Sequence, residues 1–222
     1  MIQKSGRLQP AAKSLSKIFS ARVSFNQEPF IDNHEYGTQC MSTTQEPTAN
    51  SAQNWQEKIF NILKQGGVKQ VAYVPDAGHA HVIRRVQADA DMRDIVLTTE
   101  EEGVALAAGA WLGGERAVLL MQSSGVGNCV NMLSLLHTCQ FPFLTLVTMR
   151  GEYAEFNPWQ CPMGEATQAA LELMGVKVLR ASTPEEVEDL VGAALDAAFE
   201  AGQRVAVLLS QQLIGRKKWV KQ

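Results

Sequence analysis

The chain has 222 residues, of which 45% are hydrophobic and 19% are charged, and its formal net charge at pH 7 is −3. This composition is that of a folded globular protein and excludes a disordered chain, while the slightly acidic balance excludes a basic protein that binds nucleic-acid phosphates. A compact domain usually takes about 100 to 200 residues, so the length predicts one domain plus an appendage.

Neither a membrane segment nor a metal site is expected. The longest nearly uncharged apolar stretch, 104–112, is far shorter than the roughly 18 residues of a transmembrane helix. The four cysteines form no CxxC pair and no metal-ligand spacing, which predicts a reduced cytoplasmic protein.

Residues 1–53 differ in composition from the rest, being rich in Ser, Gln, Asn and Thr. Their basic, Ser-containing start superficially resembles an organelle transit peptide, and an upstream extension of a protein that begins at Met41 explains it equally well. We expect 1–53 to be a flexible N-terminal extension and 54–222 to be the folded domain.

From Trp55 onward, helix and strand patterns alternate. Apolar residues recur at helical spacing from Trp55 to Leu63, and Gly66-Gly67 ends that helix. Strands are predicted at 70–74, 95–98, 117–121, 143–149, 177–180 and 204–210. Further helices are predicted at 79–88, 100–112, 128–139, 164–174 and 184–201.

The predicted strands are continuous apolar runs, which indicates burial on both faces by crossover helices. The sequence therefore predicts an α/β fold of three layers around a mostly parallel six-stranded sheet. Because ligands of such sheets bind at the carboxyl ends of the strands, the candidate segments are 75–79, 99–103, 122–128 and 150–164.

Three consecutive glutamates follow the second strand, in the sequence Thr99-Glu100-Glu101-Glu102-Gly103. Thr99 and Glu102 fit a capping box, so local helix structure alone explains the acidic run. Alternatively, the crowded carboxylates disfavour each other's charge, so that one of them can exchange a proton near neutral pH. The local pattern leaves both interpretations open.

Small polar residues follow the third strand, in the run Gln122-Ser123-Ser124-Gly125-Val126-Gly127-Asn128. The glycines would let a ligand approach the backbone at a helix start, although a tight turn explains them equally well. The spacing fits neither the dinucleotide fingerprint nor the Walker loop.

The other two segments offer weaker candidates. Asp76 either contacts a ligand or caps the next helix, and His79 and His81 are two residues apart, which does not suit a metal pair on a helix. The connector 150–164 is long enough to close over a site or to meet a partner.

Three motifs, each at a predicted strand end, resemble the pyrimidine-binding domain of thiamine diphosphate enzymes. They are Val74-Pro75-Asp76, Glu100 with Gly109 nine residues later, and the run 121–128. The resemblance covers about residues 55–211 and is strongest to the sulfopyruvate and phosphonopyruvate decarboxylases, particularly the separate alpha subunit of the former.

The resemblance implies that Glu100 is the catalytic residue, which hydrogen-bonds a ring nitrogen of the cofactor's aminopyrimidine. Glu101 is an alternative, because the glutamates are adjacent. The positions implied to bind the cofactor, besides Glu100, are Pro75, Gln122, Ser124, Gly125, Gly127 and Asn128. Weaker candidates for substrate contacts are Asp76, His79 and Arg150, the last two as groups that would meet an anion.

The family's second domain holds the diphosphate through Mg²⁺ with a Gly-Asp-Gly motif, and that motif is absent from this chain. The resemblance therefore implies a beta subunit that carries the Mg²⁺, an assembly such as an α₂β₂ heterotetramer or a homodimer, and a small 2-oxo acid substrate. One alternative is a non-catalytic or regulatory protein that keeps the fold. Another, less favoured, is a different α/β enzyme with a nucleotide at 125–128.

Overall fold

The computed structural model describes residues 55–215, so the predicted extension 1–53 and the C-terminal residues 216–222 lie outside the described residues. Helices and 3₁₀ turns alternate with strands as follows: α1 (Trp55–Gln65), β1 (Val68–Tyr73), α2 (Ala80–Gln87), β2 (Arg93–Val96), α3 (Glu100–Leu112), β3 (Arg116–Gln122), α4 (Ser123–Cys129), α5 (Leu133–Cys139), β4 (Phe143–Thr148), a 3₁₀ turn (Pro158–Gln160), α6 (Cys161–Leu173), β5 (Lys177–Ala181), α7 (Pro184–Phe199), β6 (Arg204–Leu209) and α8 (Gln211–Ile214).

The six strands form one parallel sheet in the order β2-β1-β3-β4-β6-β5. One apolar core fills the space between the sheet and α1, α2 and α7, and a second lies under α3 to α6. Alternate residues of a strand serve the two cores: Leu144 and Leu146 of β4 belong to the first, and Phe143 and Val147 to the second. The predicted three-layer α/β fold is confirmed.

The element boundaries differ from the prediction in one important place. Residues 123–127, which lie in the expected loop 122–128, are helical and belong to α4, and the expected helix 128–139 is divided between the end of α4 and α5. The sequence already carries a helical signal here, because the buried Val126 and Cys129 are three residues apart. The two glycines of α4 concealed that signal, since glycine disfavours a helix interior.

The strand order reverses between β1 and β3. The chain leaves β1 for α2 in one helix layer and leaves β3 for α4 in the other, so a crevice opens between the two strand ends. Within 55–215, no helix is long and apolar enough to cross a membrane.

The connector between β4 and α6 folds around the carboxylate of Glu155. Arg150 donates to it from Nε and Nη2, each over 2.7 Å. The backbone amides of Gly151, Phe156 and Asn157 and the side chain of Gln211 also donate to it. The Glu155 side chain is only 3% exposed, so these donors replace water around a buried charge.

A reciprocal set of hydrogen bonds ties the same connector to the end of β6. Gln211 accepts at Oε1 from the amides of Glu152 (3.1 Å) and Tyr153 (2.9 Å). In return the Gln211 amide donates to Glu152 Oε1 over 2.8 Å. The connector, which begins after β4, is therefore also fixed to the end of β6.

Glu155→Gln is predicted to destabilise the fold in a pH-dependent manner. The hydrogen bonds from Arg150 lower the pKa of Glu155 from 4.5 to about 2. The stabilisation is therefore present above pH 4.5, where the unfolded carboxyl is ionised, and is lost as the pH falls towards 2. At pH 7 we expect a loss of about 3 kcal/mol in the free energy of unfolding, because Arg150 is left without its partner.

Urea unfolding followed by circular dichroism between pH 7 and pH 2 measures this difference. The wild-type and Glu155→Gln curves should converge at low pH. Glu165→Gln, on the exposed face of α6, is the matched control and should stay within about 0.5 kcal/mol of the wild type. Parallel pH profiles for Glu155→Gln and the wild type would contradict the lowered pKa of Glu155 as the source of this stabilisation.

Candidate active site

Four neighbouring strand ends bring the candidate segments together. The sheet order places β2, β1, β3 and β4 side by side. At or just beyond their carboxyl ends lie, in the same order, Glu100, Asp76, Gln122 and Arg150. All parallel strands end at one edge, so the four predicted segments form one continuous rim.

Glu100 begins α3 and is only 8% exposed. Its Oε2 accepts a hydrogen bond of 2.8 Å from Asn128 Nδ2, whereas Oε1 has no hydrogen-bond partner among the described residues. A Cβ at position 125 would lie 2.4 to 2.5 Å from Glu100 Cγ, Cδ and Oε1. Gly125 is therefore the residue that leaves room for this carboxyl group.

The two following glutamates have other surroundings. Glu101 is exposed, and Glu102 accepts a hydrogen bond of 2.9 Å at Oε2 from the amide of Thr98. The predicted capping box is wrong in both halves, because the Thr99 side chain caps no helix amide and Glu102 binds the amide of Thr98 rather than that of Thr99. Of the three glutamates, only Glu100 is buried against α4.

Helix α4 presents one face to that glutamate. Gly125 and Asn128 are three residues apart, so they lie on the same side of the helix, and both contact Glu100. Ser124 and Gly127 are exposed, and a Cβ at Gly127 would meet Met163 Sδ at 3.0 Å. The sequence did not predict that Gly125 and Asn128 share a face, because 122–128 was expected to be a loop rather than a helix.

Asp76 joins the ends of three strands. Its Oδ2 accepts from Thr148 Oγ1 at 2.6 Å and from the Gly78 amide at 3.1 Å. Its Oδ1 accepts from Gln122 Nε2 at 3.0 Å, and Ser124 Oγ donates to Gln122 Oε1 at 3.0 Å. Asp76 therefore fixes the orientation of the Gln122 amide in the crevice between β1 and β3. A direct contact of Asp76 with a substrate stays a prediction, and Pro75 is exposed beside it.

His79 is enclosed below this rim and is 1% exposed. Burial lowers the pKa of His79, so the ring is neutral at pH 7. Its Nε2 lies 3.1 Å from the carbonyl oxygen of Leu146 and 3.3 Å from that of Met121, so Nε2 carries the proton and donates. The expected contact of His79 with a substrate anion does not fit this position, because the ring is buried and uncharged.

Arg150 lies at the rim, but its charge is already paired. Two of its guanidinium nitrogens bind Glu155, its amide donates to Ser123 Oγ over 3.1 Å, and a Cβ at Gly164 would meet its carbonyl oxygen at 2.1 Å. Sequence reasoning missed Glu155 and Gln211. The pairing depends on how the connector folds, and Gln211 arrives from β6, so no local pattern marks either residue.

Comparison with protein families gives a match to the thiamine pyrophosphate enzyme, N-terminal TPP binding domain, over residues 53–174. Sulfopyruvate decarboxylase subunit alpha of Methanococcus maripaludis is 34% identical over 157 residues, which are 70% of this chain and 94% of that protein. The same subunit of Methanocaldococcus jannaschii is 33% identical over 68% of this chain and 89% of that protein. Phosphonopyruvate decarboxylase of Streptomyces viridochromogenes is 41% identical over 48% of this chain and 28% of that protein.

Solved structures support the fold. A putative thiamin diphosphate-dependent enzyme from Mycobacterium smegmatis superposes with a TM-score of 0.58 at 18% identity, over 70% of this chain and 30% of that chain. The 2-oxoglutarate:ferredoxin oxidoreductase of Magnetococcus marinus superposes with a TM-score of 0.56 at 14% identity, over 76% of this chain and 33% of that chain. The chain thus spans about a third of each of these structures.

The family match covers more than half of the 222 residues, and the relative at 34% identity covers 70% of them. Both findings confirm the resemblance that the three sequence motifs indicated. The chain belongs to the thiamine pyrophosphate enzymes, in the family of the sulfopyruvate and phosphonopyruvate decarboxylases.

Proposed function

We propose that this chain is the alpha subunit of a thiamine diphosphate-dependent 2-oxo acid decarboxylase of the sulfopyruvate or phosphonopyruvate type. The names of its relatives support this class of carboxy-lyase and the existence of a partner subunit. The observation that carries the proposal is the buried Glu100 carboxyl at the rim of the sheet, with one oxygen held by Asn128 and the other without a partner among residues 55–215.

The residues present fit an aminopyrimidine ring. The Oε1 atom of Glu100 accepts no hydrogen bond from residues 55–215, and a ring nitrogen of the cofactor is a group that pairs with a carboxyl oxygen. Gly125 keeps side-chain atoms away from the carboxyl, and the Gln122 amide, at the end of β3, is held in one orientation by Asp76 and Ser124. The ring would be surrounded by the residues implied to bind it, which are Pro75, Gln122, Ser124, Gly125, Gly127 and Asn128.

Thiamine diphosphate, when bound, supplies the ring that accepts the electron pair left behind as the carboxyl group of the 2-oxo acid departs. The task of this chain is to hold a proton at Glu100 Oε1, in a hydrogen bond to the aminopyrimidine. Glu101 is exposed and lacks these surroundings, which favours Glu100 as the catalytic residue.

We also assign the diphosphate and its Mg²⁺ to a beta subunit, in an α₂β₂ or comparable assembly. The absence of a Gly-Asp-Gly motif in the sequence supports this division. Among residues 55–215, no cluster of three or more His, Cys, Asp or Glu side chains is arranged to hold a metal ion. The acidic group of the substrate would then meet the partner subunit, with Arg150 contributing the part of its guanidinium that Glu155 leaves free.

The first test is Glu100→Gln in the reconstituted complex, with CO₂ release from sulfopyruvate and phosphonopyruvate as the measurement. The substitution keeps the size of the side chain and removes the acid, so we expect at least about a hundredfold lower kcat and an unchanged thermal unfolding midpoint. Glu101→Gln, one residue away and exposed, is the matched control and should keep wild-type turnover. Full activity of Glu100→Gln would refute the catalytic assignment.

A second test uses the space at position 125. Gly125→Ala places a methyl group against the Glu100 carboxyl and must displace it, so we expect at least about tenfold weaker cofactor binding by calorimetry in the complex. Gly192→Ala adds the same methyl group on α7, where nothing lies within 4 Å, and should leave cofactor binding unchanged. Equal affinity in the two variants would show that Glu100 does not contact the cofactor.

The third test separates a split active site from a fold kept without its chemistry. Calorimetry with thiamine diphosphate and Mg²⁺ is expected to show binding by the mixture of alpha and beta chains and none by the alpha chain alone. Absence of binding in the mixture, with both chains folded, would favour the alternative of a non-catalytic or regulatory protein.

A further inference from the structure

Asn128 makes the hydrogen bond that holds the side chain of Glu100. The bond joins Asn128 Nδ2 to Glu100 Oε2 over 2.8 Å. The side chain of Glu100 has no other hydrogen-bond partner among the described residues. The terminal torsion of a glutamate is broad and roughly two-fold, so an unheld carboxylate can turn either oxygen outward. One fixed donor on Oε2 removes that freedom and leaves Oε1, which lies beside Gly125, without a hydrogen bond among the described residues.

Gly125 and Asn128 act together because they are one helical turn apart. Gly125 lets the carboxyl lie against the backbone of α4, and Asn128 then reaches it from the same face of the helix. The carboxyl is thereby fixed on two sides by a single short helix.

The chemistry of the donor is also suited to the task. An amide donates a hydrogen bond without carrying a charge, whereas a Lys or Arg at this position would strongly favour the ionised carboxylate. Within the described part of the chain, Glu100 forms no salt bridge. A neutral holder therefore orients the carboxyl without placing a positive charge beside it.

The titratable neighbours on the packed elements do not alter this conclusion. Glu101 and Glu102 on α3 are acidic and exposed. On α4, burial in the first place, and then the negative charges of Glu100 and Glu101, raise the pKa of Cys129 to about 12, so its thiol is neutral.

The cationic groups on the other elements that pack against α3 lie elsewhere. Lys69 is near the start of β1 and Arg116 begins β3, at the opposite edge of the sheet. His137 of α5 lies beside Gly175, which precedes β5 and is also at that opposite edge.

We propose that Asn128 is a positioning residue, which holds Glu100 through Oε2 and presents Oε1 to the cofactor. This role differs from the direct cofactor contact that the sequence motif implied for Asn128. The inference rests on the proposed function of Glu100, and its test includes a measurement on the chain without cofactor.

The hydrogen bond itself is measured by ¹⁵N NMR of the side-chain amides in the full-length chain. We expect the Asn128 amide to be displaced from the position of a solvated amide, and to return to it in Glu100→Ala. Asn131 is exposed and three residues further along, so its side-chain amide is the internal reference. An Asn128 signal that matches Asn131 in the wild type, or that ignores Glu100→Ala, would overturn the inference.

The functional consequence is measured in the reconstituted complex. Asn128→Ala should lower kcat about tenfold with little change in the KM for the 2-oxo acid, which is the usual cost of losing a hydrogen bond to a charged group. Asn131→Ala is the matched control and should match the wild type. Unchanged kcat in Asn128→Ala, with Glu100→Gln inactive, would refute positioning by Asn128 and leave the role of Glu100 intact.

Asn128→Asp distinguishes positioning from a merely structural role. At pH 7 it sets a second carboxylate against Glu100, so we expect about a hundredfold loss of kcat. Relative to wild type, activity should recover below about pH 5, because the introduced carboxyl takes up a proton and can donate again. Identical deficits of Asn128→Asp and Asn128→Ala at every pH would refute the inference. Full turnover of Glu100→Gln would instead refute both the proposed function of Glu100 and the inference on Asn128.

Discussion

The close packing of Glu100 against Gly125 is the contact on which the candidate site depends. It requires α3 and α4 to begin at neighbouring strand ends, and it requires a residue without a side chain at the point of contact. The parallel sheet meets the first requirement, because β1 alone separates β2 from β3. A carboxyl can then be buried at the rim with a single neutral donor, which is an arrangement that local sequence cannot create.

Much of the fold followed from the sequence because the six strands are continuous apolar runs with clear helical segments between them. Their order in the sheet did not, since pairing depends on contacts between distant parts of the chain. The glycines of α4 concealed a helix whose identity rests on the burial of Val126 and Cys129. Glu100 and Glu101 were indistinguishable as neighbours in the sequence, and only the packing of α4 separates a buried carboxyl from an exposed one.

Several conspicuous polar residues at the rim maintain the structure. Asp76 has hydrogen bonds from β3, from β4 and from its own turn, and His79 donates to carbonyl oxygens of β3 and β4. Such residues attract attention in a sequence because they are polar and follow a strand. Their hydrogen bonds tie the segment that follows β1 to the ends of β3 and β4.

The ion pair between Arg150 and Glu155 has a consequence for how a charged substrate would approach. With Arg150 paired to Glu155, the acidic residues Asp76, Glu101 and Glu102 leave the rim with a surplus of negative charge. The electrostatic potential of this face therefore repels an anionic 2-oxo acid at long range. Under the proposed function, attraction of the anionic substrate would have to come from the partner subunit. Encounter with substrate would then be coupled to the assembly of the two chains.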